Sequence, residues 1–226
     1  MTASDTIPIA LLGGTFDPVH YGHLRLADDV RRALRLPFLH LVPAADPPHR
    51  AGPQASAVHR LAMLRLGVEA YPGLVADDRE LKRGGRSFTV LTLEALRAEF
   101  PSRPLWLVLG ADAFRGLPTW HRWREIFALA HVVVVARPGV PPEAALLEPL
   151  AGEWAKRRTA TPAPLHDTPA GRIYEQEVTP HPIAATRIRE LLAAGGDRDA
   201  LSELLPPGVL AYIDQHHLYS SPPDAT

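Results

Sequence analysis

Residues 7–28 read IPIALLGGTFDPVHYGHLRLAD, and their pattern decides the fold. Ile7 to Leu12 is a short apolar run stopped by Gly13-Gly14, the mark of a buried strand. Tyr21 to Leu34 then sets Leu24, Ala27, Val30 and Leu34 on one face, which predicts a helix. A strand that ends in two glycines and feeds a helix leaves the helix's first N–H groups and positive dipole end unspent. His20 and His23 flank Gly22 at that helix start, three apart and so on one face. Gly22 lacks a Cβ, so a ligand could approach the backbone there. Together these features describe a phosphate site. The loop is neither a dinucleotide fingerprint nor a Walker loop, because G-x-G-x-x-G and G-K-[ST] are both missing. A histidine pair at this spacing could also be plain helix surface. A metal site would need a third ligand, and none stands at a matching spacing.

The same alternation continues outward. Phe38–Val42 reads as a strand, Ala44–Pro53 as a loop, and Ser56 as the cap of a helix reaching Glu69 or Ala70. Leu74–Leu81 reads as a strand. Ser87 is expected to cap a helix over Phe88–Phe100, and Leu105–Leu109 is a strand closed by Gly110. Thr119 is expected to cap a helix running to Leu129, ahead of the strand His131–Ala136 (HVVVVA). Gly139–Gly171 is a proline-rich excursion with a helix around Ala144–Arg157. Arg172–Val178 is the last strand, and Ala185–Ala194 and Val209–His216 are helices. Strands alternating with helices predict an α/β fold: a doubly wound, Rossmann-like, mostly parallel sheet with helices on both faces and a C-terminal helical segment. One domain is expected, with its core over about residues 7–219 and flexible tails at 1–6 and 220–226. In such sheets ligands bind outside the carboxyl ends of the strands.

Composition narrows the function. The chain of 226 residues has no cysteine, which excludes disulfides, thiol catalysis and cysteine–zinc sites. A cytoplasmic setting fits. No apolar stretch of about 18 residues is present, so no membrane partner is expected. Net charge is −1 without a basic tract, which argues against nucleic acid. Lys82 and Lys156 are the only lysines against 22 arginines, so phosphate contacts must come from Arg, His and backbone N–H groups.

GGTFDPVHYGH resembles the signature of nucleotidyltransferases that carry an H-x-G-H motif. PPHR (47–50), RELKRGGRSFTVLTL (79–93), GADAF (110–114), LPTWHRW (117–123), ARPG (136–139) and TRIRELL (186–192) follow in order. With them the chain, from about Ile9 to Tyr219, resembles bacterial nicotinate-nucleotide adenylyltransferases. PTW and PPHR select that branch. The resemblance implies that His20 and His23 bind the ATP phosphates and stabilise charge at the α-phosphorus, with Arg189 on the β- and γ-phosphates. Gly13, Gly14, Thr15 and Phe16 would form the phosphate loop, and Thr186 would sit beside the triphosphate. Gly110 and Asp112 would lie near the adenosine ribose, and Arg137 would flank the nucleotide. Trp120 would stack on the pyridine ring, Ser87, Phe88 and Thr89 would face its carboxylate, and His49 and His121 would contact the substrate. Mg²⁺ would bind mainly through ATP phosphates rather than a protein cage. ATP and nicotinate mononucleotide would be the partners, yielding nicotinate adenine dinucleotide and pyrophosphate.

The family's C-terminal I-S-x-T-x-I-R is here Ile183-Ala184-Ala185-Thr186-Arg187-Ile188-Arg189, so Ala184 removes a capping hydroxyl. A lost cap costs roughly 0.5–2 kcal/mol. Pantetheine-phosphate adenylyltransferases, similar at the first strand, usually carry Thr where His20 stands, and cytidylyltransferases lack PTW and PPHR. A non-catalytic nucleotide sensor is the reading from another class; the intact histidine pair argues against it.

Overall fold

The computed structural model describes residues 7–47, 52–140, 142 and 146–220. The first half contains β1 (Ile9–Gly14), α1 (Tyr21–Ala33), β2 (Leu39–Pro43), α2 (Ala57–Val68), β3 (Leu74–Ala76), α3 (Arg79–Arg83) and α4 (Thr89–Glu99). Next come β4 (Leu105–Gly110), α5 (Ala111–Arg115), α6 (Ile126–Leu129) and β5 (His131–Ala136). The chain continues through α7 (Leu150–Arg157), β6 (Arg158–Thr159), α8 (Pro164–Asp167) and β7 (Ile173–Glu177), and closes with α9 (Ala185–Ala193), α10 (Arg198–Leu204) and α11 (Pro207–Gln215).

The strands form one sheet in the order β3-β2-β1-β4-β5-β7-β6, and every pairing is parallel. Alternate residues of each central strand feed opposite cores, as the two-residue period of a strand requires. Ala10, Trp106, Val108, Val133 and Val135 face α1, α2 and the C-terminal helices α9–α11, through Leu24, Met63, Ile188 and Ile213. Ile9, Leu11, Leu105, Leu107, Val132 and Val134 face α4–α7, through Leu93, Phe114, Phe127 and Trp154. Both sheet faces are therefore covered, which is why β5 can be an uninterrupted apolar run. Strand order reverses between β1 and β4. The chain leaves β1 over one face through α1 and enters β4 from the other through α4. That divergence opens a crevice at the carboxyl ends of β1 and β4.

Several local expectations differ from what forms. The strand expected over 74–81 stops at Ala76, because Asp77 accepts from the Arg79 backbone N–H at 3.0 Å and turns the chain into α3. Ser87 caps no helix: α4 starts at Thr89 after Phe88, and the Ser87 hydroxyl instead accepts from Ala45 N and Asp46 N at 2.7 and 3.2 Å. The helix expected over 119–129 is two 3-10 turns and the short α6, broken where Arg122 adopts a left-handed φ of 52°. The Thr119 hydroxyl donates backwards to Gly116 O and caps nothing. In the excursion the helix begins at Leu150. α10, capped by Asp197 on the Asp199 N–H, had not been expected.

Candidate active site

The crevice is a cleft of about 500 Å³. Its floor is the end of β1 and the turn that follows: Gly13, Gly14, Thr15 and Phe16. Phe16 takes a left-handed φ of 50° and folds its buried ring back over the strand end. A Cβ on Gly14 would come 2.8 Å from that ring, so the turn demands glycine there. α1 begins beyond it with extended His20 at the N-cap, no side-chain cap and no acidic residue in the first turn. The helix start thus keeps its positive end uncompensated.

His20 and His23 stack at 3.7 Å between ring centroids, tilted by 24°. Phe16 packs edge-on to His23 at 5.1 Å. Burial lowers His20 from the usual 6.5 to about 4. Burial, and then the neighbouring His20, lower His23 to about 3. With pKa values this low both rings are neutral at physiological pH, so they offer single N–H donors rather than cations. Neither Nδ1 has a hydrogen-bond partner among the described residues. Nothing among the described residues pins the ring proton to Nδ1, which leaves Nε2 free to carry it. Gly22 also has a use different from the one its sequence position suggests. The space its missing Cβ would fill is taken by the His20 ring at 3.0 Å and by Ile183 Cβ at 3.1 Å. Glycine here seats the histidine.

Two residues that sequence reasoning passed over hold this turn in place. Arg60 is buried, and its guanidinium donates to Thr15 O at 2.7 Å, Ala44 O at 2.6 Å and Ala55 O at 3.1 Å. The signal was available. Arg60 shares the face of Met63, Leu64 and Gly67, which is α2's buried face. Tyr219 donates its hydroxyl to Asp17 Oδ1 at 2.7 Å, and no sequence pattern links residues 202 apart. Arg189 reaches the same turn through Asp17 O at 2.8 Å, with its other arm on the Thr186 hydroxyl at 3.3 Å.

The opposite wall carries Ser87, Phe88, Thr89, Gly110, Trp120 and His121. The Phe88 and His121 rings lie 4.4 Å apart, tilted by 32°. Trp120 packs by part of its ring on the core beneath and leaves the rest to the cleft. The N–H groups of Thr119 and Trp120 are spent on Gly116 O and Leu117 O, so the helix starts without a side-chain cap on this wall are those of α4 and, after Gly110, α5.

Residues 11–191 match the cytidylyltransferase-like family. The "probable nicotinate-nucleotide adenylyltransferase" of Halorhodospira halophila is 49% identical over 214 residues, covering 95% of this chain and 96% of that one. The protein of the same name from Pseudomonas fluorescens is 49% identical over 218 residues, covering 95% and 98%. The chain belongs to the nicotinate-nucleotide adenylyltransferase family. The fold agrees: the Plasmodium falciparum nicotinic acid mononucleotide adenylyltransferase complexed with NaAD superposes with a TM-score of 0.71 over 94% of this chain and 97% of that one, at 15% identity.

Two residues that the adenylyltransferase resemblance singles out, Asp112 and Arg137, are not among those lining the cleft. Asp112 is exposed at the start of α5 and pairs with Arg115. Arg137 is exposed just past β5. His49 falls outside the described residues. Ala184 stands at the N-cap of α9 with no side-chain cap, so the family's missing hydroxyl is not replaced from elsewhere on the chain's own cap position. Among the described residues no group of three or more His, Asp or Glu side chains could hold a metal ion. Asp17, the carboxylate of the phosphate turn, has both oxygens engaged, by Gln54 N, Ala55 N and Tyr219 OH. No helix among these residues is long and apolar enough to cross a membrane.

Proposed function

We propose that this chain transfers the adenylyl group of ATP to nicotinate mononucleotide, giving nicotinate adenine dinucleotide and pyrophosphate. The stacked His20–His23 pair at an uncapped helix start, with His23 lining the cleft and His20 buried against it, carries this reading. A phosphate oxygen of the mononucleotide attacks the α-phosphorus of ATP. The new P–O bond forms as the bond to the β-phosphate oxygen breaks, and pyrophosphate leaves in line. The nucleophile is already an anion, so no strong base is required. Catalysis rests on positioning and on donors aimed at developing charge. The histidine N–H groups, the N-terminus of α1, the Thr15 and Phe16 amides and Arg189 are those donors. ATP enters as its magnesium complex. Magnesium, bound mainly through ATP, would neutralise charge on the phosphates. A cytoplasmic location accords with the cysteine-free sequence.

The pyridine ring lies on Trp120, and its carboxylate faces the free N–H groups of the first turn of α4, beginning at Thr89. A nicotinamide substrate would turn an NH₂ donor toward one of those donors. An unsatisfied buried donor costs about 1–3 kcal/mol, so kcat/KM should favour nicotinate by roughly 10- to 100-fold. Trp120→Ala should weaken both substrates and leave most of that ratio intact. Steady-state assays with both mononucleotides test this. Equal kcat/KM values in the parent would remove the carboxylate pocket.

A further inference from the structure

One carboxylate gathers three segments of the chain at the phosphate turn. Asp17 is buried, and it accepts from Gln54 N at 2.8 Å and Ala55 N at 3.1 Å. These N–H groups end the loop that follows β2. Its third donor, Tyr219 OH at 2.7 Å, comes from beyond the last helix. The Asp17 carbonyl meanwhile accepts from Arg189 of α9 at 2.8 Å. The C-terminal segment therefore grips the phosphate turn at a single residue, once through its side chain and once through its backbone.

The turn that presents Tyr219 is strained. His217 and Tyr219 both hold left-handed φ values, 49° and 62°, that non-glycine residues rarely adopt. Such strain persists only where surrounding contacts over-determine it. The contacts here are the Leu218 N–H on Ile213 O at 3.0 Å, the buried Tyr219 ring, and the bond to Asp17. A tyrosine that served only to fill the core would need none of the last.

We infer that Tyr219 is a positioning residue for adenylyl transfer. Through its bond to Asp17 it fixes the turn bearing the two histidines relative to Arg189, so that the donors on both sides of the triphosphate close on one geometry. This inference rests on the proposed adenylyltransferase reading. Removing the hydroxyl leaves one oxygen of a buried carboxylate with a single backbone donor and frees the turn to shift. Small displacements of transition-state donors are costly in rate, and they bear less on ground-state binding.

The test is Tyr219→Phe, Asp17→Asn and the double variant, assayed at 10 °C by pyrophosphate release with full steady-state curves in both substrates. Circular dichroism establishes that each chain is folded at that temperature. Tyr219→Phe should lower kcat by about 10-fold, the worth of one charge-assisted hydrogen bond, with both KM values within about twofold of the parent. In the Asp17→Asn background it should have little further effect, because the two groups act through each other. A variant that melts earlier yet keeps the parental kcat would show that Tyr219 only fastens the C-terminus, and would overturn the inference. So would a rise in KM alone, or a double variant whose losses multiply. An inactive parent would instead defeat the functional reading itself, and the two failures cannot be confused. Should Tyr219→Phe not fold at 10 °C, Asp17→Asn alone decides: the same loss of kcat at constant KM is required of it.

Discussion

Gly22→Ala is a one-carbon change whose consequence follows from the contacts around it. The added Cβ would lie 3.0 Å from both Cε1 and Nδ1 of His20 and 3.1 Å from Ile183 Cβ. Ordinary carbon contacts lie at about 3.5–4.0 Å, so something must move by roughly 0.5 Å. Ile183 packs against the core beside α1. The His20 ring, which no hydrogen bond on Nδ1 retains, is the part that can give. Stability should change little. Overpacking costs about 1–3 kcal/mol, and alanine in a helix returns up to about 1 kcal/mol over glycine. The melting temperature should therefore stay within about 8 °C of the parent. Activity should not survive as well. A half-ångström displacement of a donor at the reacting phosphorus should lower kcat on the order of 10- to 100-fold, with a smaller change in KM. Pyrophosphate release measured against both substrates, on protein shown to be folded, reads this directly. A folded Gly22→Ala chain with kcat within twofold of the parent would refute the idea that this glycine exists to seat His20.

His20→Ala and His23→Ala should each lower kcat by about 100-fold or more while the fold persists, the scale seen when a preorganised donor to transition-state charge is removed; steady-state kinetics beside a thermal melt check it. Stability should also report these rings. Both fold with pKa values depressed from 6.5, to about 4 and about 3. The unfolded chain therefore binds more protons below pH 6.5, and stability present above that pH is lost as pH falls toward 4. Thermal melts between pH 7 and 4 should show the decline, and it should shrink in the double alanine variant.

Much of this molecule can be read from periodicity and punctuation. The run into Gly13-Gly14, the His20–His23 spacing and HVVVVA fix three elements and the end of the sheet where a ligand goes. Each rests on local rules: strand exit, helix face, buried strand. What escaped reading depends on tertiary partners. Asp77 reaching Arg79 N turns an apparent strand into α3. Ser87, a plausible cap by residue type, is drawn away by the amides of Ala45 and Asp46. Arg60 looks like helix surface until its interval to Met63 and Leu64 is counted; only the fold supplies the carbonyls that accept its charge. The pairing of Tyr219 with Asp17 has no local signal at all.

The most direct test follows the transferred group. Purified protein is incubated with ATP labelled at the α-phosphorus, magnesium and nicotinate mononucleotide, and the products are separated. The label should appear in nicotinate adenine dinucleotide, with one pyrophosphate formed per dinucleotide and none without the mononucleotide. Label recovered only as AMP or ADP, or unchanged ATP in the presence of folded protein and both substrates, would contradict adenylyl transfer to nicotinate mononucleotide.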